Sequence, residues 1–168
     1  MKKLTPWILG ACLAATAAWA PAAIAAQPAT PPAAHAHDEA LSGKLALDKG
    51  RKWATDAPLR TGMSRIRTLT AGALDDAHAG KFDAKASASV AAQVEQQVAG
   101  IVANCKLEPQ ADAMLHLVIA DIGAGTGAMA GKVPGRKSED GLLQLAQAVN
   151  AYGRHFQHPG FKPVETGH

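Results

Sequence analysis

Four side chains in this sequence have the chemistry of soft or borderline metal ligands. Met63 supplies a thioether and Cys105 a thiol, while His116 and His155 each supply an imidazole. Sulfur and imidazole ligands together favour a metal such as copper. Because the four residues are far apart along the chain, they predict a copper or small-ligand site only if the fold brings them to one place.

His116 is the residue of this set that we single out. Its immediate neighbours Leu115 and Leu117 are apolar, which predicts a ring that is at least partly buried and needs a hydrogen-bond partner. Asp112 precedes it by four residues, a helical spacing that lets the carboxylate hold a ring N–H. The same spacing fits a purely structural histidine, satisfied by Asp112 or by a backbone carbonyl.

Structural alternatives exist for the other three residues. Cys105 and Met63 fall on apolar helix seams, so they are also explained as core side chains that bind no metal. His155 lies near a helix C-terminus, where the helix dipole favours a cation. Outside this set, His35 and His37 belong to a polar segment and would bind copper or zinc only weakly.

Motifs for catalysis or for common cofactors are missing from the sequence. It has no Cys-x-x-Cys pair, no Cys-x-x-Cys-His haem attachment site, no His-Glu-x-x-His and no phosphate-binding glycine loop after a strand. No arrangement of nucleophile and base stands out either. The sequence therefore predicts a protein that is not an enzyme.

Four segments have the periodicity of amphipathic helices, with seam residues alternately four and three apart. Each starts at a residue suited to an N-cap or a first helical turn, namely Asp56 with Pro58, Asp83, Glu108 with Pro109, and Ser138. The seams are Leu59, Met63, Ile66, Thr70, Ala73 and Ala77; Ser87, Ala91, Val94, Val98, Ile101 and Cys105; Ala111, Leu115, Val118, Ile122, Gly125 and Met129; and Leu142, Leu145, Val149, Tyr152 and Phe156.

Four such seams predict an all-α fold, an antiparallel up-down-up-down four-helix bundle over residues 43–161. Short links at residues 80–82 and 106–108 force successive helices to reverse direction. In this topology the start of the first and third helices and the end of the second and fourth share one end of the bundle. That end would collect Met63, Cys105, His116 and His155.

The N-terminus has the features of a cleaved secretory signal over residues 1–26. Lys2 and Lys3 precede an apolar run, and small residues lead up to Ala26. The alternative is a lipoprotein acylated at Cys12. Cleavage predicts a periplasmic protein with Cys105 as its only thiol, no stable membrane anchor, and a net charge lowered from +3 to +1, which gives no argument for nucleic-acid binding.

The remaining segments flank the bundle. Residues 27–42 are rich in alanine and proline and predict a flexible leader. Residues 41–55 contain Leu45, Leu47 and Trp53, with a turn at Gly50, and could lie against the helices as a strap. Residues 162–168 are predicted to be a C-terminal tail. The mature chain has the length of one domain.

Three segments carry a resemblance to known proteins, residues 58–67, 101–109 and 150–156. Over residues 45–161 the chain resembles a family of small exported proteobacterial proteins, sometimes labelled DnrO-like, which implies a four-helix bundle without an assigned activity. In layout it is similar to the periplasmic b-type four-helix-bundle cytochrome, which binds haem through a methionine and a histidine. Met63 matches that methionine, whereas Gly153 stands where the histidine would be.

These observations predict a non-enzymatic periplasmic bundle that binds a metal ion, copper above all, or a small ligand at one end. The first alternative is an interaction module that contacts another exported protein through an exposed helix face. The second alternative, implied by the cytochrome resemblance, is a degenerate haem-binding bundle.

Overall fold

The computed structural model describes residues 44–166. Within that range it contains four α-helices and no β-strand: α1 (Ala57–His78), α2 (Ala84–Asn104), α3 (Pro109–Met129) and α4 (Ser138–His155). The predicted all-α fold of four helices is confirmed. The predicted signal, the leader with His35 and His37, and the alternative acylation site at Cys12 lie outside the described residues.

The helices begin where the sequence predicts. Asp56 caps α1, because its carboxylate accepts the backbone N–H of Leu59 at 2.9 Å, and Asp83 caps α2 through the N–H of Ala86 at 2.8 Å. Such caps satisfy amides that the first helical turn leaves without a partner. Pro109 opens α3, where the missing amide hydrogen is not needed.

Close contacts between helices define which ends meet. The Ser87 hydroxyl, early in α2, donates to the Met129 carbonyl oxygen at the end of α3, at 2.9 Å. Gly125, late in α3, lies against Gly141, early in α4. Both contacts join the beginning of one helix to the end of its neighbour, as an antiparallel order requires. The up-down-up-down topology is our inference from these contacts and the short links.

The core follows the predicted seams closely. All the predicted seam residues of α3 and α4 are buried, and so are most of those in α1 and α2. Three buried polar side chains, Thr70, Ser87 and Thr126, donate to backbone carbonyl oxygens. Throughout residues 44–166 no buried side-chain nitrogen or oxygen lacks a hydrogen-bond partner.

Segments on both sides of the helices pack against the end of α4. The backbone N–H of Trp53 donates to the His155 carbonyl oxygen, and the N–H of Gln157 donates to the Trp53 carbonyl oxygen, both at 2.8 Å. The Asn150 side chain holds Val164 through both its backbone N–H and its carbonyl oxygen. Packing therefore extends to Val164, beyond the predicted bundle boundary at residue 161.

Large apolar side chains at the surface of the described range are few. Leu47, Val102 and Leu143 are exposed. None of the four described helices combines the length and the apolar character that a membrane span needs.

Candidate functional site

The four predicted metal ligands occupy different environments. Met63 is completely buried in the core, while Cys105 is half-buried at the C-cap of α2. His116 is on the exposed face of α3, and His155 is the last residue of α4. Among residues 44–166 no three His, Cys, Asp or Glu side chains converge as a metal group. The copper assignment therefore remains a prediction without a preformed ligand cluster.

His116 is less buried than the apolarity of its neighbours predicts. Its side chain is 46% exposed, because it is one residue, or about 100° of helical rotation, beyond the core residue Leu115. The predicted contact with Asp112 is present, since the His116 Nδ1 atom is 2.9 Å from the Asp112 carbonyl oxygen and 3.4 Å from its carboxylate. His116 thus has the structural partners that the alternative interpretation names.

Met63 and His155 also have structural surroundings. Met63 fills the core of α1. His155 Nδ1 is 2.8 Å from the carbonyl oxygen of Ala151, one turn earlier, so its ring is held by the last turn of its own helix.

Asp56 ties the start of α1 to the end of α2. One carboxylate oxygen accepts the N–H of Leu59, and the other accepts the N–H of Lys106 at 2.7 Å. Burial alone would raise the pKa of Asp56, but these two backbone hydrogen bonds, helped by the Cys105 thiol, lower it. The carboxylate is therefore charged and fixed beside Cys105.

Cys105 is a protonated thiol in this setting. Burial, followed by the negative charge of Asp56 and the hydrogen bond to it, raises the pKa of Cys105 to about 12. A metal binds the thiolate and not the thiol, so this environment opposes metal binding at Cys105 until a cation displaces the proton.

We expect slow alkylation of native Cys105. With a pKa of about 12 the thiolate fraction at pH 8 is about 10⁻⁴, roughly a thousandfold lower than for a free cysteine of pKa about 8.5. Iodoacetamide labelling followed by mass spectrometry should be slow in buffer and fast in urea. Asp56→Asn should accelerate native labelling, while Asp75→Asn, on the surface of α1, should not. Rapid labelling of the native wild-type chain would contradict this account.

A second polar cluster, which the sequence did not reveal, joins α1, α4 and the C-terminal segment. His158 Nδ1 is 3.0 Å from the hydroxyl of Tyr152, and His158 Nε2 is 3.3 Å from the hydroxyl of Ser64. Tyr152 is completely buried, and burial raises its pKa, so its hydroxyl keeps its proton. The one signal in the sequence is the His-Pro-Gly stretch at residues 158–160, which is typical of a helix end.

The hydrogen-bond directions in this cluster oppose nucleophilic chemistry. The Tyr152 hydroxyl needs an acceptor, and His158 Nδ1 is the acceptor that the structure provides. We therefore assign the ring proton of neutral His158 to Nε2, where it donates to Ser64. In this tautomer His158 does not accept the proton of the Ser64 hydroxyl, so it is not placed as a base for that serine.

The position of His158 predicts loss of stability in mild acid. Burial, and then the positive charge of Arg60, lower its pKa. The unfolded chain therefore takes up this proton first, near pH 6.5, and stability falls as the pH drops from there through the folded-state pKa. Urea unfolding at pH 7.5 and pH 5 should show this loss. His158→Gln should lessen the pH dependence. An equal pH dependence in the wild-type and His158→Gln chains would contradict the assignment.

Two adjacent concavities on the surface between α1 and α2 share the lining residue Gln97, and together they are called the α1/α2 groove. One part, of about 440 Å³, lies between the start of α1 and the end of α2, and a second part, of about 390 Å³, continues along the middle of both helices. Gln97 lines both parts. Other lining residues are Pro58, Thr61, Gly100 and Asn104 in the first part and Arg65, Leu69, Gln93 and Gln96 in the second.

Two glycines shape this groove in different ways. Gly62 is buried, and a Cβ atom there would collide with the side chain of Ile101, so α1 and α2 approach closely below the groove. Gly100 also lines the groove, and it has open space where its Cβ would be. The amide residues of α2 recur three and four positions apart, a stripe that is visible in the sequence.

Comparison with known proteins gives no relative. No protein-family model, curated protein or solved structure matches this sequence, so the resemblance to DnrO-like proteins stays a prediction.

Proposed function

We propose that this protein is a non-enzymatic interaction module of the periplasm, which holds a short extended segment of another exported polypeptide in the groove between α1 and α2. The observation that supports the proposal is that two adjacent concavities between α1 and α2 share Gln97. The periplasmic location in this proposal rests on the predicted secretory signal at residues 1–26.

The length of the groove suits a peptide strand. It follows α1 from Pro58 to Leu69, about 17 Å at 1.5 Å per helical residue. An extended chain advances about 3.3 Å per residue, so about five residues fill the groove. A globular surface would not enter it, whereas a loop or terminus would.

The chemistry of the walls indicates an uncharged occupant. Arg65 is the single charged residue among those that line the two parts. The side chains of Gln93, Gln96 and Gln97 each carry a carbonyl and an amide group, which can hydrogen-bond to the N–H and C=O groups of an extended backbone. Pro58 and Leu69 offer apolar contact. A strand with small uncharged side chains fits these walls.

The interior supports a surface function. Its largest side chains are completely buried, and its polar atoms within residues 44–166 have their hydrogen bonds. A ligand inside the bundle would have to displace this core, at a cost of several kcal/mol. A ligand in the surface groove displaces only water.

Filling the groove at Gly100 tests the proposal. A library of displayed eight-residue peptides without charged residues is selected against the chain from Gln27 to His168. The affinity of a selected peptide is then measured for Gly100→Leu and for the control Gly123→Leu. Neither added Cβ meets an atom within 4 Å, so both variants should fold, and helix propensity favours both substitutions.

We expect Gly100→Leu to weaken peptide binding at least tenfold, which corresponds to about 1.4 kcal/mol. Gly123→Leu should leave the affinity unchanged. Failure to select any peptide, or equal affinities for the two variants, would reject the groove as the binding site.

Copper binding at Met63, Cys105, His116 and His155 is the second candidate. One observation favours it: the charges of Asp56 and Asp112 both raise the pKa of Cys105, and Asp112 pairs with His116. Side chains of ligand type are therefore near one another, although they do not converge.

Copper titration of the chain without residues 27–42 tests this candidate, because the deletion removes His35 and His37. The candidate would be supported if each chain binds one copper ion and His116→Ala binds copper at least tenfold more weakly. The control His78→Ala should bind copper as tightly as the wild-type chain. A chain that binds no copper would reject it.

A further inference from the structure

We propose that the pocket between α1 and the C-terminal segment binds one oxyanion group, a carboxylate or a phosphate. The pocket has a volume of about 300 Å³ and is separate from the path of the α1/α2 groove, although Ser64 and Thr68 line both. Its remaining lining comes from Arg67 and from residues 158–162. The inference stands independently of the peptide proposal.

The charge of the pocket is positive and fixed in place. Arg67 Nε donates to the Lys162 carbonyl oxygen at 2.6 Å, and Arg67 Nη2 donates to the Pro163 carbonyl oxygen at 3.3 Å. These bonds orient the guanidinium without neutralising it. No acidic residue lines the pocket, and among the described residues neither Arg67 nor Lys162 forms an ion pair within 4 Å.

Neutral hydrogen-bond donors face the same space. We assign the ring proton of His158 to Nε2, because Nδ1 is the acceptor available to the buried Tyr152 hydroxyl, and Nε2 is 3.3 Å from the Ser64 hydroxyl oxygen. Because that oxygen accepts from His158, the hydroxyl hydrogen of Ser64 is available to a ligand. The hydroxyl of Thr68 differs, since it already donates to the Ser64 carbonyl oxygen at 3.0 Å. The pocket thus offers Ser64 and the remaining guanidinium N–H groups of Arg67.

This combination selects an oxyanion. A guanidinium held in one orientation presents parallel N–H groups that match the oxygen spacing of carboxylates and phosphates. Lys162, which also lines the pocket, adds a second positive charge. Chloride would share the charge, but as a single atom it cannot place two oxygens against two parallel N–H groups.

The pocket forms only because the C-terminal segment is held down. Gly160 has a φ angle of +78°, which turns the chain after Pro159 so that Phe161 packs on Tyr152, with ring centroids 5.1 Å apart. Asn150 then holds Val164. These contacts hold the backbone of Lys162 beside Arg67, whose Nε atom donates to the Lys162 carbonyl oxygen.

Titration with acetate and with inorganic phosphate tests the inference, with chloride at equal ionic strength as the reference. Ring resonances of His158 in the chain from Gln27 to His168 report occupancy by nuclear magnetic resonance. We expect saturable shifts with acetate or phosphate and only small, non-saturating shifts with chloride. Saturation should also raise the pKa of His158, because a bound anion favours the imidazolium.

Two variants assign the binding to this pocket. Lys162→Gln should weaken anion binding at least fivefold, and Ser64→Ala should weaken it as well. Lys85→Gln, at an exposed position of α2, should change the affinity less than twofold. Identical titrations with chloride, or equal affinities for Lys162→Gln and Lys85→Gln, would overturn the proposal.

A further experiment distinguishes an oxyanion group on a polypeptide partner from a free small anion. A groove-selected peptide extended by one terminal aspartate should gain affinity in the wild-type chain but not in Lys162→Gln if the group belongs to a polypeptide partner. If acetate or phosphate saturates the pocket and the aspartate adds nothing, the occupant is a free small anion. Because the salt titrations use no peptide, failure of the groove proposal leaves their outcome intact.

Discussion

Gly141→Ala should destabilise the protein by about 3 kcal/mol, at the upper end of the usual cost of forcing atoms into a packed core. An added Cβ at Gly141 would lie 2.6 Å from the Gly125 carbonyl oxygen and 2.8 Å from the Met129 backbone nitrogen. Both are backbone atoms of α3, so they can move away only if the whole helix moves. This cost exceeds the gain of about 1 kcal/mol that alanine brings to a helix.

Gly123→Ala is the matched control, on the helix that Gly141 contacts. A Cβ at Gly123 meets nothing within 4 Å, so the helix-propensity gain should appear alone, as stabilisation of about 0.5–1 kcal/mol. Urea unfolding followed by circular dichroism measures both variants. Effects of the same sign and similar size would mean that α3 and α4 do not approach at Gly125 and Gly141.

Ile101→Ala should lower the free energy of unfolding by about 2–5 kcal/mol, the range for truncation of a buried aliphatic side chain. Ile101 is 1% exposed and lies over Gly62, where there is no side chain to relax into the space. The cavity should therefore persist, and the measured loss should exceed the cost of transferring the removed methyl and methylene groups alone.

Val102→Ala is the control for this prediction, because Val102 is the next residue in α2 but is 61% exposed. Its truncation should change stability by less than about 0.5 kcal/mol. Thermal or urea unfolding of the two variants should separate them clearly. A similar loss in both would show that the face of α2 assigned to the core is wrong.

Helix positions and the core were predictable because they depend on local rules. Asp56 and Asp83 cap helices through their own first turns, and seam residues such as Leu115 and Tyr152 recur at the helical period. The result does not depend on which helices are neighbours. The glycines of α3 show the limit of such local rules. Gly125 packs on Gly141, while a Cβ at Gly123 would meet no atom within 4 Å. Only the position of the partner helix distinguishes the two glycines.

The candidate sites were less predictable for the same physical reason. His116 was interpreted from the apolarity of its neighbours, although its angle from Leu115 turns it towards solvent. The contact of His158 with Ser64 spans 94 residues, and the pocket beside it needs the C-terminal segment to fold back. The α1/α2 groove depends on the close approach of Gly62 to Ile101. No local pattern encodes these distances between elements.

Side-chain amide resonances give the most direct test of the central claim, that the α1/α2 groove binds an uncharged extended peptide. On addition of a selected eight-residue peptide to the ¹⁵N-labelled chain, the amides of Gln93, Gln96 and Gln97 should shift and saturate together. The amides of Gln144 and Gln147, which line a separate surface pocket on α4, should stay in place. Shifts at Gln144 and Gln147 with none at Gln93, Gln96 and Gln97 would contradict the account.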